Sequence, residues 1–354
     1  MFGFKSVFYI IAITAGGFFS TLSASPMLQP AEQECVAIFA PDYAQTLRTR
    51  TAVSGKPKKH RDEAVQILPV KFAWRDAASN GPYTLEISLD KAFSQPVTVK
   101  SFSMQAEVCN LFSAKQYFCR VLDKDNRIVA SGSFRTAAQP RWISFPDRGF
   151  APVNFRDLGY RKTVSGLQVR QGMVYRGADL ELWRKPSRKN FDFIVNELKI
   201  KSEIDMRYPR QVADKSNSRL GKGVKLFFRP INAYNSFTPE QCALFRDTIR
   251  IFADEKNYPL YFHCSGGVDR TGEIAFLLNG LLGVPEEQLL EDYELSSLSL
   301  FPRHRNIDYF KSWREKIATY APAGSPVQVQ IESYLLAIGV TAEEISAIKR
   351  IMLE

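Results

Sequence analysis

Residues 259–272 read Pro-Leu-Tyr-Phe-His-Cys-Ser-Gly-Gly-Val-Asp-Arg-Thr-Gly, and this stretch decides the fold of the C-terminal part of the chain. The run from Pro259 to Phe262 is short and apolar, which is typical of a strand buried on both faces of a sheet. Two adjacent glycines follow, and a helix is predicted from about Thr271 to Leu282. A strand, a tight loop and a helix in this order indicate a layered α/β sheet.

The same stretch combines a thiol with a guanidinium. Cys264 and Arg270 are six positions apart at the predicted strand-to-helix turn, so they can surround one phosphate group. The helix N-terminus adds positive potential, and the guanidinium is a planar fork that fits an oxyanion. The same field favours the thiolate of Cys264. The predicted backbone donors to the phosphate are Ser265, Gly266, Gly267 and Val268.

The neighbouring sequence repeats the α/β pattern from about residue 140 onward. A helix is predicted from about Ser187 to Leu198, with strands at Ile200–Met206 and Lys225–Phe228. A hairpin is expected around Gln171-Gly172. The segment beginning at Thr238 has a cap, a proline at the first helical position and a glutamine that would close a capping box. The predicted fold is α/β, with a central parallel or mixed sheet flanked by helices.

Residues 66–138 have a different pattern, with short alternating runs separated by turn residues. Several antiparallel strands and a small N-terminal β-sandwich are therefore expected. The predicted strands are Val70–Trp74, Tyr83–Ile87, Val97–Val99, Tyr117–Val121 and Ile128–Ala130. Leu111 followed by Tyr117 resembles the tyrosine corner of immunoglobulin-like and fibronectin type III domains, in which a phenol ties a loop to the next strand.

The chain of 354 residues is long enough for two domains. Its 45% hydrophobic and 24% charged residues exclude wholesale disorder and a multispan membrane protein. We expect a signal peptide at 1–24, a lead-in or linker at 25–65, the sandwich at 66–138 and a catalytic domain at 140–354. The signal implies export to the periplasm or medium, with an uncleaved membrane anchor as the alternative.

Export affects how the cysteines are interpreted, because exported thiols can pair. Cys109 and Cys119 are both expected to point inward, so a disulfide between them and two buried thiols remain alternatives. The five cysteines and three histidines show no metal-binding spacing. A zinc enzyme is therefore not expected.

The formal net charge of +10 favours anionic partners in general. One basic cluster, at residues 56–61, is interpreted as a solvated linker. The sequence shows neither a basic stripe with interleaved aromatics nor a nucleic-acid reader motif, so no nucleic-acid partner is expected. The expected partners are a phosphorylated protein or a small aryl or lipid phosphate, with a possible docking partner for the sandwich.

The loop pattern of His, Cys-x5-Arg and Thr resembles the protein-tyrosine-phosphatase superfamily. Other segments resemble its bacterial branch of tyrosine and lipid phosphatases, whose loop reads His-Cys-x-x-Gly-Lys-Asp-Arg-Thr-Gly. The resemblance covers roughly residues 140–354. The matching segments are Asn154–Gly159, Tyr175–Gly177, Asp205–Arg207, Asp292-Tyr293 and Tyr334 through Ile348.

This resemblance implies a mechanism without a cofactor. Cys264 attacks phosphorus and forms a cysteinyl-phosphate, which water then hydrolyses. Arg270 stabilises the equatorial oxygens. Thr271 hydrogen-bonds the sulfur, and His263 orients the backbone of Cys264.

The resemblance also raises the question of the general acid. Many relatives carry an aspartate about 30 residues before the nucleophile, but here the stretch from Arg229 to Ser236 contains no carboxylate. Asp269 is the expected acid, and the alternative is a carboxylate that only braces the loop. Asp205 and Asp157 are reserve candidates.

Val268 stands where the bacterial branch usually has lysine, a residue associated with extra phosphates on inositol lipids. Phosphotyrosine or a small aryl phosphate is therefore favoured over phosphoinositides. Arg156, Asp157 and Arg207, with Arg176, are candidates for further substrate contacts, although ordinary ion pairing explains them equally well. Two other function classes remain open, namely a phosphate-binding module without turnover and a sulfurtransferase of the rhodanese type.

Overall fold

The computed structural model describes residues 29–40, 42–50, 66–76, 81–181, 185–299 and 307–354. The expected signal at 1–24 and the basic cluster at 56–61 lie outside the described residues. The chain divides into two compact units, one within Met1–Pro41 and Ile67–Ser144 and the other within Asp42–Gln66 and Phe145–Glu354. No helix in the described ranges has the length and apolar character needed to cross a membrane.

The first unit consists of β-strands. Five of them form one sheet in the order β1-β7-β6-β3-β4, and the other two, β2 and β5, pair with each other. All pairings are antiparallel except that of β1 with β7. The strands are β1 (Glu34–Val36), β2 (Val70–Ala73), β3 (Tyr83–Ser88), β4 (Val97–Ser101), β5 (Gln105–Val108), β6 (Gln116–Leu122) and β7 (Ile128–Thr136).

Alternation places one face of these strands in the core of the unit. Leu85 and Ile87 on β3 are buried with Val121 on β6, as the period-two pattern predicts. The phenol oxygen of Tyr117 accepts a hydrogen bond from the Phe112 N–H at 2.7 Å, which is the contact expected of a tyrosine corner.

The cysteines expected to pair are both in the thiol form in this structure. Cys119 is buried on β6, and its thiol donates a hydrogen bond to the Gly132 carbonyl at 3.4 Å. Burial raises the pKa of Cys119 to about 12, so this thiol stays protonated at neutral pH.

Part of the expected lead-in at 25–65 belongs to this sheet. Strand β1 continues the sheet beside the last residues of β7, where Glu34 lies opposite Phe134. The carboxylate of Glu32 accepts the Ser133 N–H at 2.8 Å, and the Gln139 side chain accepts the Ile38 N–H at 2.9 Å. These partners are about 100 residues away in sequence, so local pattern alone did not reveal the strand.

The second unit has the predicted mixed α/β architecture. Its five-stranded sheet has the order β11-β10-β12-β9-β8, in which four strands are parallel and β8 is antiparallel to β9. The strands are β8 (Arg156–Asp157), β9 (Val174–Gly177), β10 (Ser202–Asp205), β11 (Lys225–Phe228) and β12 (Leu260–His263). The helices are α1 (Tyr43–Arg50), α2 (Arg188–Asp192), α3 (Pro239–Ile251), α4 (Asp269–Leu281), α5 (Glu286–Leu295), α6 (Ile307–Ala318), α7 (Val327–Ala337) and α8 (Ala342–Met352).

The central strand β12 leads into α4, which is buried along almost its whole length. Asp205 at the end of β10 is in register with both His263 at the end of β12 and Phe228 at the end of β11. The carboxyl ends of three parallel strands therefore meet at one edge of the sheet, where ligands of open α/β sheets usually bind.

Local signals were largely correct here, with differences of detail. The Thr238 side chain accepts the Gln241 N–H as predicted, but the Gln241 side chain accepts the Asn232 N–H at 2.8 Å instead of closing the box. The tight turn lies at 163–167, where the Thr163 N–H donates to the Leu167 carbonyl. Gly172, expected at the turn, instead donates its N–H to the Asp157 carboxylate at 2.6 Å.

Candidate active site

The loop between β12 and α4 is curled against strand β9. Gly267 has φ of +67°, and a Cβ on it would overlap the backbone of Gly177, so only glycine fits there. Its carbonyl accepts hydrogen bonds from the side chains of Asn154 and Arg176, each at 2.9 Å. In a trans peptide the N–H points away from the C=O, so the following N–H, that of Val268, faces away from these two side chains.

Cys264 lies at the start of this loop and is 2% exposed. Burial acts to raise the pKa of its thiol, but the positive charge of Arg270 and hydrogen bonding from Thr271 outweigh it. The net result is a pKa below the ordinary value of a cysteine, so the site favours the thiolate.

Arg270 projects from the first turn of α4. One terminal nitrogen donates to the Met206 carbonyl at 2.8 Å, and the other lies 3.4 Å from the Ser265 hydroxyl. The guanidinium carbon lies 4.5 Å from the ring centroid of Tyr208, which is a cation–π arrangement. These contacts hold the guanidinium beside the loop that carries Cys264.

His263 is fully buried next to the nucleophile. Its Nε2 lies 2.9 Å from the Glu203 carboxylate, and its Nδ1 lies 3.2 Å from the Cys264 carbonyl oxygen. Burial opposes the charged imidazole, but Asp205 and Glu203 outweigh it and raise the pKa of His263 to about 9. The protonated ring donates from both nitrogens, so it ties the Cys264 carbonyl to the sheet.

Arg207, predicted as a substrate contact, and Asp205, predicted as a reserve acid, form a buried ion pair. The guanidinium of Arg207 contacts both oxygens of Asp205, with the shortest distance 2.7 Å, and also bonds Glu181 at 2.8 Å. Because this cation is surrounded by carboxylates, it is not placed to bind a phosphate. Asp205 is likewise engaged, so it is not placed to act as the reserve acid.

The other candidates for substrate contacts, Arg156, Arg176 and Asp157, bond groups of the protein itself. Arg156 is 1% exposed, and its guanidinium bonds the side chain and the carbonyl of Asp292, while Arg176 also pairs with Asp292. Both oxygens of Asp157 accept backbone N–H groups, from Gly159 at 2.9 Å and from Gly172. Ion pairing therefore describes the contacts of Arg156, and loop bracing describes those of Asp157. Phosphate contacts by these two residues stay a prediction.

Asp269 lies on the first turn of α4 and is partly exposed. The phenol O–H of Tyr234 donates to its Oδ1 at 2.6 Å, and the phenol oxygen of Tyr293 lies 2.6 Å from that of Tyr234. One turn further along α4, the Glu273 carboxyl accepts the Tyr234 N–H at 3.0 Å. The segment that lacks a carboxylate in sequence thus contributes a tyrosine that contacts Asp269.

Within the described ranges, no cluster of three or more His, Cys, Asp or Glu side chains has the arrangement of a metal site. The side chains around Cys264 are instead a thiol, a guanidinium and hydroxyl groups, which suit an oxyanion.

A family model described as the tyrosine phosphatase family matches residues 151–354, which is more than half of the chain. The chain belongs to the tyrosine phosphatase family. This membership makes it a hydrolase of phosphate esters.

Two similar solved structures contain Siw14. One is the core catalytic domain of the PP-IP phosphatase SIW14 from S. cerevisiae in complex with citrate, at 24% identity, and the other is the Siw14 catalytic core, at 21% identity. Each has a TM-score of 0.29 and covers 39% of this chain and 76% of the other. At these TM-scores the similarity supports no conclusion about the phosphatase. A search of curated proteins finds no match.

Sequence reasoning missed four side chains of the phosphatase site: Glu203, Tyr208, Tyr234 and Glu273. Glu203, Tyr208 and Tyr234 contact residues that are distant in sequence, so no local pattern reveals them. Their partners are His263, Arg270 and Asp269, respectively. Glu273 had a local signal, because it is the only charged residue of α4 after the first turn. A carboxyl on an otherwise buried helix needs a partner or must be neutral.

Glu273 is expected to be a neutral acid in the folded phosphatase. Burial, followed by the nearby Asp269 and Cys264 charges, raises its pKa well above the ordinary value. The folded state therefore keeps a proton that the unfolded state loses, and stability falls as the pH rises above the ordinary glutamate pKa. Glu273→Gln removes this penalty. We therefore expect the Tm of the variant minus that of the wild type to become more positive from pH 5 to pH 8, by about 2–4 °C for each kcal/mol of penalty removed.

The measurement is a series of thermal melts across this pH range. Glu240→Gln is the matched control because Glu240 is an exposed residue in the first turn of α3. If the Tm difference between Glu273→Gln and the wild type moves the other way with pH, Glu273 is ionised in the folded state.

Proposed function

We propose that this phosphatase hydrolyses phosphomonoesters through a cysteinyl-phosphate and that phosphotyrosine or small aryl phosphates are its preferred substrates. The observation that carries the proposal is the arrangement of the loop, in which Cys264 is buried and the Arg270 guanidinium, held by the Met206 carbonyl, lies beside Ser265 of the same loop. The charge of Arg270 also lowers the pKa of the Cys264 thiol. A thiolate nucleophile and a cation for the phosphoryl oxygens are the two groups that this chemistry needs.

In the first step the Cys264 thiolate attacks phosphorus, the S–P bond forms and the bond to the ester oxygen breaks. Asp269 donates the proton that the departing oxygen takes up. In the second step a water oxygen attacks phosphorus, Asp269 takes its proton, and the sulfur leaves as a thiolate. We expect the buried Thr271 hydroxyl to donate to the sulfur and support that departure.

Two groups stabilise the phosphoryl oxygens in both steps. Arg270 exchanges its long contact with Ser265 for phosphate oxygens, while its bond to Met206 keeps it oriented. The Val268 N–H faces away from the side chains that hold the Gly267 carbonyl, and it donates to the anion with the α4 N-terminus behind it. His263 holds the Cys264 carbonyl so that the loop stays curled.

The substrate preference rests on the side chains around the loop. Tyr208 stacks on Arg270 and supplies an aromatic wall for an aryl group. Val268 is buried and offers no cation for a second phosphate. One observation favours phosphoinositides instead: the exposed Arg210 lies over the same Tyr208 ring, 5.6 Å from its centroid, and can meet another phosphate.

The test is phosphate release by the purified full chain. We expect a higher kcat/KM for a phosphotyrosine peptide than for phosphatidylinositol phosphate in phosphatidylcholine vesicles. Faster release from the lipid would favour the second candidate. Peptide binding without phosphate release would indicate a binding module, and thiocyanate formation from thiosulfate and cyanide would indicate a sulfurtransferase.

The role of Asp269 leads to a prediction about leaving groups. Asp269→Asn keeps the size of the side chain but removes the transferable proton. We expect kcat for phenyl phosphate to fall by about 10²-fold or more, because a poor leaving group depends on protonation. For p-nitrophenyl phosphate, whose leaving group needs less protonation, the loss should be several-fold at most.

Initial rates on the two esters check this expectation. Asp247→Asn is the control, since Asp247 is a partly exposed carboxylate on α3 that pairs with Arg246. Equal losses on both esters would contradict an acid role for Asp269.

A further inference from the structure

A directed chain of hydrogen bonds ends at Asp269. Tyr234 has one phenolic proton, and that proton lies on the 2.6 Å bond to Asp269 Oδ1. The 2.6 Å contact between the two phenols therefore takes its proton from Tyr293, which donates to the Tyr234 oxygen. The order of donation is Tyr293 to Tyr234 to Asp269.

The position of Tyr234 is held by contacts on several sides. Its φ of +58° lies in the left-handed region, which is a strained conformation for an aromatic residue. The strained peptide is held by the bond from the Tyr234 N–H to Glu273. The ring stacks on Tyr309 at a centroid distance of 6.1 Å. Strain that persists in this way clusters at functional sites.

Tyr293, the first donor of the chain, is also held in place by its neighbours. Tyr293 is 2% exposed and stacks on Phe310 at 4.2 Å between centroids. A Cβ on Gly272 would lie 2.6 Å from the Tyr293 ring, so the glycine that ends the loop motif is needed for this approach. The two tyrosines therefore contact α4 at Gly272 and at Glu273, in addition to Asp269.

We propose that Tyr234, supported by Tyr293, is the residue that positions Asp269 for proton transfer to the leaving group. The proposal rests on the proposed function of Asp269 as the acid. Tyr234 occupies Oδ1 and fixes the rotation of the carboxyl group, so the transferable proton sits on Oδ2. That proton goes to the ester oxygen as the P–O bond breaks, and Oδ2 takes a proton from water as the S–P bond breaks. The phenolic protons stay in place.

The proposal also accounts for the segment from Arg229 to Ser236. This segment supplies no carboxylate, but through Tyr234 it contacts the acid that α4 provides. The acid on one element and its orienting group on another are 35 residues apart in sequence. Precise orientation of a catalytic group by neighbouring hydrogen bonds is a general requirement of such sites.

The experiment compares Tyr234→Phe with the wild-type full chain on two esters. We expect kcat for phenyl phosphate to fall about 10-fold, which is less than the loss expected when the general acid itself is removed. We expect kcat for p-nitrophenyl phosphate and KM for both esters to stay within about 2-fold, since phosphate binding does not use the phenol. Tyr309→Phe is the matched control, because it keeps the stacked ring and its hydroxyl is not in the donor chain.

A double variant separates positioning from a structural effect. If Tyr234 acts through Asp269, the variant Tyr234→Phe with Asp269→Asn should be no slower than Asp269→Asn alone. Additive losses, equal losses on both esters, or no loss on either would overturn the proposal. A wild type that releases phosphate from neither ester would instead contradict the proposed function itself.

Tyr293→Phe is the second variant and decides the matter if Tyr234→Phe does not fold. It removes the outer donor and leaves both rings in place. We expect a loss of about 3-fold in kcat that is confined to phenyl phosphate. An unchanged kcat on that ester would show that the donor chain has no part in the reaction.

Discussion

Replacing Cys264 by serine is expected to lower kcat for aryl phosphates by at least about 10⁴-fold, because the nucleophile itself is lost. The charge of Arg270 lowers the pKa of the Cys264 thiol below the ordinary value of a cysteine. A serine hydroxyl loses its proton far less readily than a thiol, and the same surroundings leave it neutral and a poor nucleophile. The substitution changes one atom, so Arg270 and the loop N–H groups keep their positions.

Binding should therefore survive the loss of turnover. We expect the Kd of a phosphotyrosine peptide, measured by calorimetry, to stay within about 5-fold of the wild-type KM, provided that chemistry is slow relative to dissociation. Cys242→Ser is the matched control, since its thiol donates to the Ser236 carbonyl outside the loop and serine can replace that donor. Turnover by Cys264→Ser at an appreciable fraction of the wild-type rate would exclude the cysteinyl-phosphate.

Arg270→Lys is expected to lower kcat/KM by about 10²–10³-fold although the charge is kept. The bond to Met206 at 2.8 Å and the stacking on Tyr208 both use the planar shape of the guanidinium. An ammonium group provides neither the fork that two phosphate oxygens need nor the flat face that Tyr208 contacts. Most of the loss should appear in kcat, because the charge of the phosphoryl group is spread most widely in the transition state.

Arg270→Gln tests the electrostatic part separately. Arg270 is the charge that lowers the pKa of Cys264, so its removal should raise that pKa and move the pH midpoint of iodoacetamide labelling upward. Arg270→Lys should move it much less. Arg250→Lys is the control for both, since Arg250 pairs with Glu344 on the surface of α3. An unshifted midpoint in Arg270→Gln would mean that Arg270 does not stabilise the thiolate.

The strand, loop and helix around Cys264 were predictable because their signals are local. An apolar run, two glycines and an N-terminal helical turn lie within fourteen consecutive residues, 259–272. The same holds for the cap at Thr238 and for the alternation that buries Leu85 and Ile87. In each case the residues that determine the conformation are close neighbours in sequence.

The contacts that the sequence did not reveal concern residues whose partners are distant in the chain. Arg156 is engaged by Asp292, which is 136 residues away. The candidate acid Asp157 braces Gly172, and strand β1 depends on β7. A charged side chain in a sequence is a candidate for binding until its partner is known, and the partner is visible only in the folded chain.

For this protein the sequence by itself determined the strand, loop and helix that carry Cys264 and Arg270, because the residues that set these elements are close neighbours in the chain. The tertiary structure decided which charges remain for a substrate and which group touches Asp269. The physical reason is that a buried charge takes whatever opposite charge or donor the fold brings within about 3 Å, whatever the separation along the chain. Tyr234 illustrates this: no local pattern marks it, and packing alone brings its phenol to the Asp269 carboxyl group.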